Sequence, residues 1–285
     1  MLTPEHINKV VAAALEEDAP AGDITSEHLI PASAQATAEL AAREPGVFSG
    51  VEVFKAAFEL CDPSIRVEMK IADGDHFVAG QSLATVTGPA RAVLRGERIG
   101  LNFTQRMCGI ATLTAQYVVA VADTKAKILD TRKTTPGLRE FERQAVRDGG
   151  GTNHRFSLSD QVLAKDNHLA VLTAGGKDLT TELRRVRTEI PASVKFEVEV
   201  DRLDQIMPVL EGGVDIIMLD NFTLDELRAG VDLIARRAVV EASGGVNLET
   251  VAKIAATGVD VISVGALTHS VRSLDLGLDV TIEPK

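Results

Sequence analysis

Six apolar, β-prone runs from residue 125 onward each end in residues able to do chemistry. The endings are Asp130-Thr131-Arg132-Lys133, Lys165, Glu199, Asp220, Ser243-Gly244-Gly245 and Val264-Gly265-Ala266. In parallel α/β sheets, open or closed, ligands bind at that edge of the strands. Arg132, Lys133, Arg139, Arg143, Arg147, Arg155 and Lys165 crowd into residues 132–165. Two like charges ~4 Å apart repel by roughly 4 kcal/mol at an effective dielectric of 20. If these groups converge, they call for an anion, and planar arginine forks suit carboxylates and phosphates. Glu199 and Asp220 end consecutive strand units, and neighbouring strands lie about 4.8 Å apart. Two carboxylates so placed could share a magnesium ion together with phosphate oxygens. The small residues at Ser243, Gly244, Gly245, Val264, Gly265 and Ala266 let backbone N–H groups approach a phosphate, and a helix expected from about Asn247 would add its dipole.

These side chains need elements to aim them. From residue 125 onward, strands are expected over 126–131, 161–166, 194–200, 214–220, 238–243 and 259–264. Helices are expected over 137–148, 178–189, 223–236 and 247–256. Alternating β and α units with short connections imply a parallel sheet, open or closed into a barrel. Six strands are fewer than the eight of a full barrel. Alternation puts Phe196, Val198 and Val200 on one face of their strand and Glu197 and Glu199 on the other; Glu241 and Ser243 share a face likewise. Carboxylates turned into the interior require cations, a metal or water beside them. Before residue 125 the pattern is mixed. A helix is expected over 4–17, a strand pair over 37–50 broken at Pro45-Gly46, a helix over 50–60 and strands over 65–72 and 81–87. A long helix from Pro89 to about Asp123 should soften near Gly96 and Gly109.

The chain has 285 residues, 45% hydrophobic and 25% charged, ample for a sizeable core. Thirty Lys and Arg against 41 Asp and Glu give a net charge of −11, which argues against nonspecific nucleic-acid binding. No apolar run is long enough to span a membrane, and the first residues read as an amphipathic helix, not a signal peptide. Cys61 and Cys108 have no metal or redox spacing, so a cytoplasmic, disulfide-free protein is expected. No Gly-x-Gly-x-x-Gly follows the first strand of the β/α series, which weakens a dinucleotide-binding reading.

Read together and in order, EDAPAGDIT (17–25), DTRKTTPGLR (130–139), GGGTNHR (149–155), AKDNH (164–168), EASGGVN (241–247) and VGALTHS (264–270) resemble the quinolinate phosphoribosyltransferases. The resemblance implies an N-terminal α/β sandwich of residues 1–108 plus 272–285, completed by the C-terminal tail, and an incomplete, TIM-like α/β barrel over 109–271. It implies transfer of phosphoribosyl from phosphoribosyl pyrophosphate to quinolinate with decarboxylation, a step of NAD biosynthesis, assisted by magnesium. By the same resemblance Arg132, Arg155 and Lys165 bind quinolinate carboxylates, with His154 and Thr131 beside them, and Lys133 lies between the substrates. Glu199 and Asp220 surround ribose and magnesium, and the residues at 243–245 and 264–266 are phosphate loops. A homodimer is implied, with Arg98 contributed to the partner's site. Arg143, Gln144, Ser157 and Ala164 depart from the family pattern. Rival readings are a barrel aldolase with Lys165 as Schiff base, the related protein associated with molybdate transport, and a phosphate-ligand binding protein without turnover. At residue level, Lys165 could only pair an inward glutamate, the Arg139/Arg143/Arg147 stripe could be a solvated helix face, and His154 and His168 could be hydrogen-bonded core histidines.

Overall fold

Thr3 accepts a hydrogen bond from the His6 N–H and Pro4 follows it, which opens the first helix in the computed structural model. The structure describes residues 2–283. Residues 1, 284 and 285 of the expected sandwich segments lie outside the described residues. Along the chain the elements are α1 (Pro4–Asp18), α2 (Ile24–Leu29), β1 (Gln35–Ala42), β2 (Gly46–Val47), α3 (Val51–Glu59), β3 (Arg66–Met69), β4 (His76–Phe77), β5 (Ser82–Pro89) and α4 (Ala90–Ala120). Next come β6 (Lys127–Leu129), α5 (Arg139–Asp148), β7 (Val162–Ala164), α6 (Asp166–Leu172), α7 (Leu179–Glu189), β8 (Phe196–Val200), α8 (Ile206–Glu211) and β9 (Ile216–Asp220). The series ends with α9 (Leu224–Ile234), β10 (Val239–Ser243), α10 (Val251–Ala255), β11 (Val261–Ser263), α11 (Ala266–His269) and β12 (Leu276–Glu283).

Two units emerge. The first holds residues up to Ala115, Thr135–Gly150 and the stretch from Ser270 on. Its four-stranded sheet has the order β12-β1-β5-β3, with antiparallel neighbours. Strand β12 pairs with β1 along its whole length, from Gln35↔Glu283 to Ala42↔Leu276, so the tail completes the sheet as expected. Fully buried Phe54 and Phe58 stack edge to face 5.0 Å apart in the core of this unit. Helix α5 belongs here and not with the barrel segment 109–271: Phe141 packs 5.5 Å from Phe103, and buried Glu142 accepts from Arg106 and from Thr135. Helix α4 runs without the softening expected at its glycines. A Cβ on Gly109 would lie 2.2 Å from the Arg272 carbonyl oxygen, so this glycine permits close approach and does not loosen the helix.

The second unit, Gln116–Thr134 and Gly151–His269, contains a parallel six-stranded sheet in the order β6-β11-β10-β9-β8-β7. Strand β6 therefore pairs with the last strand of the series and not with the next one. The gap between β6 and β7 is crossed by residues 151–155. Thr152 bridges Leu129, its N–H donating to Ile128 O at 2.8 Å and its carbonyl accepting from Asp130 N–H at 3.1 Å. This is an incomplete barrel of six strands, as expected. The strands are shorter than the sequence pattern suggests: β8, β9 and β10 start later and end where expected, while β6, β7 and β11 are trimmed at both ends. The helix expected from Asn247 begins at Val251. The Asn247 side chain instead accepts from the Glu249 and Thr250 N–H groups at 2.9 and 3.0 Å, making a turn. Helix α10 has five residues, so the dipole expected to favour phosphate there is not supplied.

Candidate active site

The C-terminal ends of the barrel strands enclose a cavity of about 420 Å³. Thr131, Arg132, Lys133, His154, Arg155, Lys165, Glu199, Asp220 and Ser243 line it, all expected from the sequence. The residues Gly244, Gly245, Val264 and Gly265 lie on the adjoining loops after β10 and β11, and Ala266 opens α11. Arg98 is exposed on α4 in the first unit and is not among the residues lining this cavity. Arg139, Arg143 and Arg147 are carried by α5 in that same unit and do not line it either. The basic lining is therefore Arg132, Lys133, His154, Arg155 and Lys165.

Asp130 holds the loop from 151 to 155 in place. Fully buried at the end of β6, it accepts from the Asn153 amide and from the His154 N–H, both at 2.7 Å. That anchoring brings His154 and Arg155 to the mouth of the gap between β6 and β7. Lys165 leaves the β7 ladder as the N-cap of α6, where its N–H donates to His168 Nδ1 at 3.0 Å. His168 is thus an exposed helix cap and not a core histidine. The Lys165 ammonium pairs with Glu199. Lys133 is fixed through its backbone: its carbonyl accepts from Thr268 Oγ1 at 2.7 Å, and its N–H donates to Thr131 Oγ1 at 3.1 Å.

Inward Glu197 and Glu241 are 0% and 1% exposed, as the alternation requires. Their cation is His154, whose Nε2 lies 3.4 Å from an oxygen of each. Gln161 donates to Glu197 at 2.6 Å, and Arg155 donates to the Gln161 carbonyl at 2.9 Å, extending the network to the cavity. Burial pulls the His154 pKa down, but the bonds to Glu197 and Glu241 and their charges outweigh it and raise it to about 10. Burial also raises Glu197. The Arg155 N–H, donating to His154 Nδ1 at 2.8 Å, opposes a second ring proton. The two buried carboxylates prevail, since leaving such charges uncompensated costs several kcal/mol. Imidazole and two carboxylates are also a metal-ligand set, but a cationic His154 offsets one carboxylate charge, and the burial that raises Glu197 favours a proton on the other.

Arg132 and Arg155 stand beside one another, and the Glu197 and Asp160 charges offset part of the strain on Arg155. Burial lowers the Arg155 pKa and the neighbouring Arg132 charge lowers it further, while Arg132 Nε is buried with no protein partner. Two guanidiniums so held favour an anion between them. Across the cavity, Asp220 is level with Ser243 in the β9–β10 ladder, and Glu199 is level with Met218. Glu199 and Asp220 therefore share a face, offering oxygen donors of the kind that hard cations prefer. Leu163, Met218 and Ser263 also line the cavity and were missed. Each lies two residues before a flagged residue (Lys165, Asp220, Gly265), so the two-residue strand period would have found them.

Comparison with known proteins places this geometry. Residues 23–108 match the family model for the quinolinate phosphoribosyl transferase N-terminal domain, and residues 110–279 match that for the C-terminal domain. The chain is 44% identical over 276 residues to the nicotinate-nucleotide pyrophosphorylase (carboxylating) of Mycobacterium leprae, covering 95% of each. It is 41% identical over 266 residues to the probable nicotinate-nucleotide pyrophosphorylase (carboxylating) of Bacillus subtilis, covering 93% of this chain and 90% of that one. Among solved structures, NadC from Streptococcus pyogenes superposes with a TM-score of 0.93 at 39% identity, covering 99% of both chains.

Proposed function

The chain belongs to the quinolinate phosphoribosyltransferase family, and from that premise we propose that the barrel cavity joins quinolinate to phosphoribosyl pyrophosphate. The products are nicotinate mononucleotide, pyrophosphate and carbon dioxide, a step of NAD biosynthesis. The observation that carries the reading is the Arg132–Arg155 pair, two mutually repelling guanidiniums in one cavity, with a buried Arg132 Nε that no protein group satisfies. Quinolinate, with two adjacent carboxylates on a flat ring, supplies negative charge and acceptor oxygens to this pair. Lys165 joins them by sharing its three N–H donors between Glu199 and the ligand. Neither the aldolase nor the molybdate-transport alternative is favoured.

Held in this way, the pyridine nitrogen faces the ribose C1, a proximity effect. Its lone pair forms the N–C1 bond as the C1–O bond breaks, and that electron pair leaves with pyrophosphate. Glu199 and Asp220 offset the positive charge that develops on the ribose. The N–H groups of residues 243–245 and of Gly265 and Ala266 take the phosphates, with Lys133 between the two substrates; the Val264 N–H, expected to join them, is committed to Leu129 O at 2.9 Å. The ring nitrogen, now cationic, accepts the electron density released when the C2–carboxylate bond breaks, and a proton replaces the lost carbon dioxide. The oxygen donors Glu199 and Asp220 fit magnesium, which when bound would neutralise the departing pyrophosphate. Arg98, exposed and outside the cavity lining, is read as serving the cavity of a second protomer in a homodimer. Cytoplasmic placement accords with two free cysteines and with no described helix being long and apolar enough to cross a membrane.

The test is a product assay on the purified protein with phosphoribosyl pyrophosphate and magnesium, comparing quinolinate with nicotinate. Nicotinate mononucleotide should form from quinolinate and far less from nicotinate, which lacks the carboxylate that must leave. Folded protein that forms none from quinolinate would refute the reading.

A further inference from the structure

Asn221, directly after Asp220, has φ +59. Only two other non-glycine residues among those described have positive φ, Ala235 and Arg236, both at the end of α9. Asparagine adopts this conformation at little cost, so a plain turn would be the simple explanation. Three further contacts go beyond a turn. The Asn221 N–H donates to Ser243 O at 2.9 Å, carrying the β9–β10 pairing one residue past Asp220. Its side-chain Nδ2 donates to Asp220 Oδ2 at 2.7 Å. A Cβ on Gly244, itself at φ +92, would lie 2.1 Å from Asn221 Oδ1, so the amide fills the space that this glycine leaves open.

We propose that Asn221 is a positioning residue: its amide orients the Asp220 carboxylate and locks it to the Gly244 turn. One Asp220 oxygen is committed to the amide, and the other is left to face the ribose or a cation. Because the same amide rests against Gly244, the carboxylate and the phosphate-binding turn are set at one fixed spacing, which suits a ligand that reaches both. Of the two substrates, phosphoribosyl pyrophosphate does so. This deepens the proposed function and rests on it.

The experiment uses Asn221→Gly, which keeps the left-handed backbone but removes the amide, and Asn221→Asp, which keeps the shape but replaces the donor with a carboxylate. Each variant is assayed for kcat and both KM values, for thermal midpoint, and by calorimetric titration with phosphoribosyl pyrophosphate and, separately, quinolinate. Both variants should keep a near-wild-type midpoint and quinolinate affinity, yet lose roughly ten- to a hundredfold in phosphoribosyl pyrophosphate affinity or kcat, the size of one hydrogen bond to a charged group. Asn221→Asp should be the worse of the two. Wild-type kcat and phosphoribosyl pyrophosphate affinity in Asn221→Gly would overturn the proposal. Equal losses for both substrates that track a fallen midpoint would overturn it too. If the wild-type protein binds phosphoribosyl pyrophosphate but makes no nicotinate mononucleotide, the reaction is misread, and the titrations still decide the role of Asn221.

Discussion

Arg155 shows how one side chain can be both constrained and available. Its Nη1 donates to the Gln161 carbonyl, while burial and Arg132 disfavour its charge more than Glu197 and Asp160 restore it, so an added anion is favoured beside it. Arg155→Ala should weaken quinolinate binding by roughly ten- to a hundredfold, the loss of a charge-assisted hydrogen bond, with phosphoribosyl pyrophosphate binding little changed. Calorimetry measures this directly, and an unchanged quinolinate affinity removes Arg155 from the role. At this scale the sequence was partly legible. Strand alternation turned Glu197, Glu199 and Glu241 inward and demanded a counter-charge. It could not name His154 as that charge, because the residue arrives on a loop that crosses a gap in the barrel, where no period applies. Asn221 was invisible for a related reason: a single backbone dihedral leaves no pattern.

Elements were legible where they are long or alternate with one another. The six barrel strands and helices α1, α3, α4, α5, α7 and α9 follow from apolar spacing. Helices α2, α6, α8 and α11 have four to seven residues, too short to establish a helical period. The glycines of α4 were read as weak points and are points of close approach. Gly109→Ala would press a methyl group against a backbone carbonyl of residue 272, which cannot rotate aside as a side-chain tip can. Overpacking of this kind costs about 1–3 kcal/mol. The thermal midpoint should fall by several degrees, roughly 2–4 °C per kcal/mol for a chain of this size class. A midpoint at or above wild type would show that the helix shifts freely.

At the scale of the whole molecule, the family signature was legible as an ordered set of short segments, whereas the closure of the strands was not, since β6 meets β11 across more than a hundred residues of chain. The proposed homodimer gives the prediction here. Arg98→Ala and Arg155→Ala protomers, each nearly inactive alone, should regain about a quarter of the wild-type rate when co-refolded in equal amounts, the share of intact composite sites that random pairing gives. No recovery in verified mixed dimers would mean that each protomer completes its own site. The same strand order has a consequence for how the protein is made. Strand β6 has only β11 as a ladder neighbour, and β1 gains its second neighbour only with β12. A ribosome adding roughly 5–20 residues per second releases β6 many seconds before β11 exists. During that interval the nascent chain carries bare β edges that pair readily with other chains, so its vulnerable period is set by translation speed and ends only as the last strands emerge.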